Sequence, residues 1–249
     1  MCTLVFAYRP DADWPVLLAA NRDEKIGRPA LPPGRHWDNR PQVVAGKDIE
    51  GGGTWLGLND AGVVAGILNR SGTLGPAAGK RSRGEIVLRT LDYADATTAA
   101  RALDELATQA YRPFNLVVAD SREAFWLRSL GTGAIERWRL PPGISMITAH
   151  DRNDTRSHRI RTYLPLFQAA PLPDPDKDHW ATWEALLASR DRAADDGLEE
   201  SAMTIADRDG FGTVSSALIA LPAAGKEGPP VFRFADGRPD ETLFENVAV

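Results

Sequence analysis

Cysteine is almost absent from this chain: it occurs once among 249 residues, at position 2, directly after Met1. A single cysteine excludes an intrachain disulfide and is compatible with a reducing compartment. The four histidines, His36, His150, His158 and His179, fall at spacings that match no structural zinc pattern. No Cys-x-x-Cys-His occurs, which excludes covalent haem attachment of the c type. Long apolar runs are also missing. Stretches such as Val63 to Leu68 are far too short to cross a bilayer, and the N-terminus has neither the basic start nor the apolar core of a secretory signal. Nor is there surplus positive charge, since 29 Lys and Arg stand against 34 Asp and Glu for a net −5. No basic stripe offers a seat to a nucleic acid backbone. These absences predict a soluble cytoplasmic protein with no structural metal, no cofactor and no nucleic acid partner.

Apolar residues at 43% and charged residues at 25% are ordinary for a globular chain. No compositional break divides it, so residues 1–249 are expected to form one domain. Thr3 to Tyr8 and Val16 to Ala20 are β-rich runs around a Pro10 to Asp13 turn, and Trp55 to Leu58 and Val63 to Leu68 flank a second turn at Asn59 to Gly62. Both predicted hairpins are apolar at consecutive positions, as strands covered on two faces are. A helical rhythm follows over Arg83 to Asp92 and Thr97 to Tyr111. Strands are predicted again at Asn115 to Ala119, Ala124 to Leu127, Ile135 to Trp138 and Ser145 to Thr148. Helices return at Arg156 to Ala169 and Trp180 to Arg190, joined by a stiff Pro171 to Pro175 connector, and strands at Ser215 to Leu221 and Val231 to Phe234 close the chain. Strand block, helix pair, strand block, helix pair, strand block is the order of an α+β fold with two mostly antiparallel sheets stacked face to face and helices outside.

Position gives the lone thiol its interest. Methionine aminopeptidase removes Met1 when the next residue is small, so the mature chain is expected to begin with Cys2. A thiol of pKa about 8.5 and an α-amine of about 8 then share one residue, a nucleophile carrying its own base. Asn21-Arg22-Asp23-Glu24 ends the second strand, and a hairpin brings that end beside the start of the first. A carboxylate there would hold an α-amine, and a guanidinium would draw a thiol pKa down. Asn69, followed by Arg70 at the end of the second hairpin, is an uncharged amide suited to receiving an oxyanion. Glu50-Gly-Gly-Gly-Thr-Trp55 lacks the Gly-Lys-Ser/Thr of a phosphate loop. It is expected to pack closely at the mouth of a cleft, with Trp55 as an apolar wall.

Cys2 after Met1, the Asn21-Arg22-Asp23-Glu24 segment, the glycine run into Trp55, and Asn69-Arg70 together resemble the NRDE family, also called the transport-and-Golgi-organisation protein 2 family. That family is itself similar to the cysteine-type N-terminal nucleophile (Ntn) hydrolases, which begin Met-Cys-Thr as this chain does. The resemblance implies a four-layer αββα sandwich and cleavage of a linear amide or related acyl bond. It implies Cys2 as nucleophile, Asp23 steadying the α-amine, Arg22 assisting the thiolate and Asn69 donating to the oxyanion, with Asn21, Glu24, Trp55 and Arg70 contacting substrate. Two positions depart from the hydrolase pattern: Ala149 before His150 stands where an asparagine is common, and Val214 stands where an arginine is common. For the family's eukaryotic members the resemblance implies a different role, the binding and trafficking of haem or of acyl lipids and acyl-CoA. In that case His36, His150 or Cys2 would be the available axial ligands.

Overall fold

The computed structural model describes residues 2–192 and 201–249. Two antiparallel sheets carry the fold. The first has the strand order β10-β1-β2-β11-β12-β13 and the second β3-β4-β5-β6-β7-β8-β9. In chain order the strands are β1 (Thr3–Tyr8), β2 (Val16–Lys25), β3 (Ala30–Gly34), β4 (Val43–Asp48), β5 (Leu56–Asn59), β6 (Val64–Asn69), β7 (Phe114–Ala119), β8 (Ala124–Ser129), β9 (Glu136–Arg139), β10 (Gly143–Ile147), β11 (Phe211–Leu221), β12 (Val231–Ala235) and β13 (Glu245–Asn246). The helices are α1 (Gly84–Thr90), α2 (Ala96–Ala102), α3 (His158–Ala169) and α4 (Ala181–Ala188).

Alternation along each strand builds the layers, because successive side chains point to opposite faces. Leu4, Phe6 and Tyr8 of β1 meet Leu56, Leu58 and Val64 of the other sheet in the core between the sheets. Val5 and Ala7 turn the other way, onto Ile160, Tyr163 and Phe167 of α3 and Trp183 of α4. On the second sheet Val43, Ala45 and Ala65 face outward beneath Ile86, Val87, Ala99 and Ala100 of α1 and α2. Three apolar seams therefore bind four layers, helix–sheet–sheet–helix, the αββα sandwich that the sequence pattern and the resemblance predict. The consecutive apolar runs of both hairpins are the signature of strands buried on both faces.

One local expectation fails, and two features were not foreseen. The helix predicted over Thr97 to Tyr111 is α2 alone, capped by the Asp95 side chain accepting from the Thr98 N–H at 2.7 Å, followed by separate 3₁₀ turns at Leu103–Glu105 and Thr108–Ala110. β3 and β4 were not predicted. Pro32 and Pro33 disguise β3, and it tolerates them because it is an edge strand with one partner. β9 and β10, close in sequence, belong to different sheets, so the short segment between them crosses the sandwich.

Candidate active site between the two sheets

β1 and β2 pair with Thr3 opposite Asn21, which sets Cys2 and the polar end of β2 at one end of the first sheet. Parity then divides the four polar residues. Leu18 and Ala20 face the second sheet, and Arg22 and Glu24 continue that row to the wall of an open basin. Leu17 and Ala19 face the helices, and Asn21 and Asp23 continue that row.

The helix-side pair is fully engaged. Asn21 Nδ2 donates to the carbonyls of Leu187 at 3.0 Å and Met203 at 2.9 Å, and its Oδ1 accepts from Ser216 Oγ. Asp23 Oδ1 accepts from Thr213 Oγ1 at 2.7 Å and Oδ2 from Arg159 Nη1 at 2.8 Å; the same Nη1 donates to Thr3 Oγ1 at 2.6 Å. Side-chain exposure is 2% for Arg159 and 0% for Asp23, so this ion pair is out of water. Burial pushes the Asp23 carboxyl up. The positive charges beside it, Arg159 among them, and its hydrogen bonds outweigh that and hold it below the usual carboxylate value. A bulge between Thr213 and Ser215 makes the pairing possible, since without the extra residue Val214, not Thr213, would oppose Asp23.

The sheet-side residues are left open. Arg22 lays its guanidinium 4.1 Å from the Trp55 ring centroid and forms no ion pair among the described residues, although it is only 7% exposed. Burial lowers its pKa. Trp55 packs tightly against Gly46, where a Cβ would stand 2.4 Å from a ring carbon. Gly53 likewise lets the loop touch the start of α1, where a Cβ would meet the Gly84 backbone at 2.4 Å. The glycine run is therefore a packing device beside the cleft.

Cys2 is half-buried, with Sγ 3.5 Å from the Asp23 carbonyl oxygen. Burial first, and then the Asp23 charge, raise the thiol above its ordinary value. Arg22 acts in the lowering direction expected of it without prevailing. The thiol is consequently protonated at neutral pH, and a base must take its proton as it attacks.

Cys2 borders two cavities. A chamber of about 20 Å³ runs between the sheets, lined by Leu4, Ala20, Leu56, Leu68 and Ala217, with Ser215 in its wall. Ser215 Oγ is buried without a hydrogen-bond partner among the described residues. The second is a basin of about 410 Å³ bordered by Arg22, Glu24, Trp55, Asn69 and Arg83. The Asn69 side chain forms no hydrogen bond among the described residues and stands in the basin wall with Cys2. Arg70 points elsewhere, to Asn115 Oδ1 at 2.7 Å and Asp151 Oδ1 at 2.8 Å, and borders neither cavity. Its expected substrate contact is thus replaced by a structural one, because the next residue after Asn69 falls on the opposite side of the chain. Ala149 and Val214 also border neither cavity, nor do His36 and His150, which leaves Cys2 as the single axial-ligand candidate there.

Arg159, Thr213, Ser215 and Arg83 were missed by sequence reasoning. Arg159 had a signal: it lies on the apolar stripe of α3 with Tyr163 and Phe167, an arginine where core is expected. Thr213 and Ser215 gave none, since a bulge sets their facing.

This architecture defines an Ntn-hydrolase type of fold. The solved N-acylethanolamine-hydrolyzing acid amidase ortholog of Caenorhabditis elegans superposes with a TM-score of 0.59 at 13% identity, covering 90% of this chain and 94% of that one. At such identity the likeness is one of fold. The family is fixed by sequence: residues 1–226 match the Transport and Golgi organisation 2 model, and the chain belongs to that family. Transport and Golgi organization protein 2 homologs of Homo sapiens (34% identical over 134 residues) and Bos taurus (33% over 129 residues) match 48% of this chain and 45% of their own length. The chain thus spans about half the length of the curated relatives it matches. No helix among the described residues is long and apolar enough to cross a membrane.

Proposed function

We propose that the chain, once Met1 is removed, is an acyl-transferring hydrolase with Cys2 as nucleophile. The Cys2 α-amine takes the thiol proton while sulfur attacks an acyl carbonyl, forming the S–C bond. Asn69 donates to the oxyanion. The amine then passes the proton to the departing amine or thiol as its bond to the acyl carbon breaks. Water, deprotonated by the same amine, hydrolyses the thioester to a carboxylic acid and returns the thiol. Asp23, held by Arg159 and Thr213, keeps the amine oriented, and Arg22, Glu24 and Trp55 meet the substrate.

The observation that carries this reading is the place of Cys2 at the junction of two cavities beside an amide donor with no hydrogen-bond partner among the described residues. Intact-mass analysis of the Met1-processed chain with a panel of activated acyl thioesters tests it. An acyl adduct on Cys2 that decays in water is expected, Cys2→Ala removes it, and Asn69→Ala slows its formation about 10²-fold or more. A second reading is favoured by the half-buried thiol, whose pKa burial raises rather than lowers: a carrier of haem or an acyl lipid that keeps the cleft without the chemistry. Under it Cys2→Ala leaves ligand retention unchanged and no adduct forms in either chain.

A further inference from the structure

The two cavities that meet at Cys2 are unequal in size and opposite in character, and the carbonyl under attack must direct one substituent into each. The inter-sheet chamber has room for roughly one to two water-sized spheres, which is a methyl or ethyl group. Its walls are core side chains of both sheets: Leu4 and Leu68 are 2% and 4% exposed, and Leu56 is 3%. Such walls do not yield to a longer chain without repacking the sandwich. A Cβ added at Gly66, also in the wall, would stand 2.9 Å from Leu4 Cδ1 and 3.1 Å from Leu56 Cδ1, so the space left over is small.

The basin is larger and lined by more charge, though it shares Arg22 and Trp55 with the chamber. Arg22, Lys80, Arg83 and Arg112 border it without forming an ion pair among the described residues, whereas Arg28 is matched by Asp48 and Glu50, and Arg81 by Glu85. Glu24 is the one bordering carboxylate without a cation partner among the described residues, and Arg28 faces two carboxylates, so two positive charges are uncompensated. Arg112 spends its donors on the carbonyls of Gly72, Leu74, Gly75 and Pro76, which fixes the loop that carries the rim. Burial and the neighbouring Arg112 lower the Arg83 pKa to about 10, the mark of a cation short of a counter-charge. An apolar acyl tail placed in this basin would lie beside the partly desolvated Arg22 and Arg83, whereas in the chamber it meets mainly Leu4, Leu56 and Leu68, with Ser215 Oγ and the edge of Arg22 as the polar exceptions. The oxyanion candidate Asn69 lies on the basin side, consistent with the leaving group departing there.

We infer that the substrate joins a short acyl group, of two or three carbons, to a larger anionic leaving group. This rests on the reading of Cys2 as nucleophile. The short tail enters the chamber between the sheets. The negative charge of the carrier, a carboxylate or a phosphate, settles among Arg22, Arg83 and the rim.

Acyl thioesters of mercaptosuccinate, which carries two carboxylates, and of neutral N-acetylcysteamine test it on the Met1-processed chain. Each is prepared with acetyl, propionyl, hexanoyl and decanoyl groups, and Cys2 acylation is followed by intact mass. Acetyl and propionyl are expected to react at least tenfold faster than hexanoyl and decanoyl on either carrier, after correction for their reaction with a free model thiol. The dianionic carrier is expected to lower KM about tenfold against the neutral one, a preference that added salt and Arg83→Gln both reduce. Leu56→Ala, which widens the chamber, should raise hexanoyl acylation relative to acetyl; Gly66→Ala should suppress propionyl before acetyl. Hexanoyl or decanoyl reacting as fast as acetyl overturns the inference while leaving the nucleophile intact, as does an equal KM for the two carriers. No adduct from any member defeats the nucleophile reading itself, and this inference with it.

Discussion

Asn21 and Asp23 on one face of β2, and Arg22 and Glu24 on the other, are interleaved in sequence yet live in different chemical worlds. The first pair is sealed under α3 and α4, with backbone carbonyls, hydroxyls and Arg159 as partners. The second pair borders a basin open to ligand, and its guanidinium rests on a tryptophan face with no ion-pair partner among the described residues. A compact polar run is therefore two devices. One is a rigid foundation whose hydrogen bonds are made during folding and from which Asp23 can steady the Cys2 amine, and the other is a surface whose partners arrive from outside. A buried charge with its partners contributes order, and a buried charge without them keeps capacity for a ligand.

The comparison breaks most sharply at Arg159. Replacing it with Met strands the Asp23 carboxylate in the core and is expected to cost about 3–5 kcal/mol of unfolding free energy in urea titration. A loss below about 1 kcal/mol would place Asp23 in a wetter setting than the one described. Asn21→Ala removes the amide donor to the Met203 carbonyl and the acceptor of the Ser216 hydroxyl, while the Leu187 carbonyl keeps Thr204 Oγ1. Calorimetry should show a loss of about 2–3 kcal/mol, with the acylation rate of any surviving folded chain little changed.

Acid sharpens the same contrast. Asp23 is held below its ordinary pKa of 3.8, so the stability it supplies is full above that value and drains away as pH falls through its folded pKa. Unfolding free energy should drop below about pH 4, and less steeply in a chain carrying Asp23→Asn. Arg22→Met is the smallest effect on folding and the most telling: a change within about 1 kcal/mol, since only the contact with Trp55 is lost and a desolvated cation is removed. The same variant should lose most of its Cys2 acylation by anionic donors. Were Arg22→Met as destabilising as Arg159→Met, the division of β2 into foundation and surface would not stand.

Much of this was legible in one dimension. The β1–β2 and β5–β6 hairpins announced themselves by apolar runs around turn residues, and the pairing of Thr3 with Asn21 follows from hairpin connectivity. That connectivity also brought Cys2, Arg22 and Asp23 together before any coordinate was known. Arg70 was misplaced because adjacency in sequence is not adjacency in a strand, where neighbours point apart. β3 was hidden by prolines that an interior strand would reject. Thr213 and Ser215 were invisible, since the bulge at Val214 that sets their facing leaves no compositional trace.

Local chain chemistry determined the sandwich, the hairpin that carries Cys2 and the identity of the polar residues beside it, because period and turn residues act over a few positions. Tertiary structure alone decided which of those residues are sealed and which are open, whether the thiol is raised or lowered, and that one cavity is small and apolar while the other is wide and cationic. Those properties depend on groups that meet across distances such as Asp23 to Arg159 and Thr213, and burial and electric field are set by everything within a few ångströms, whatever its place in the chain.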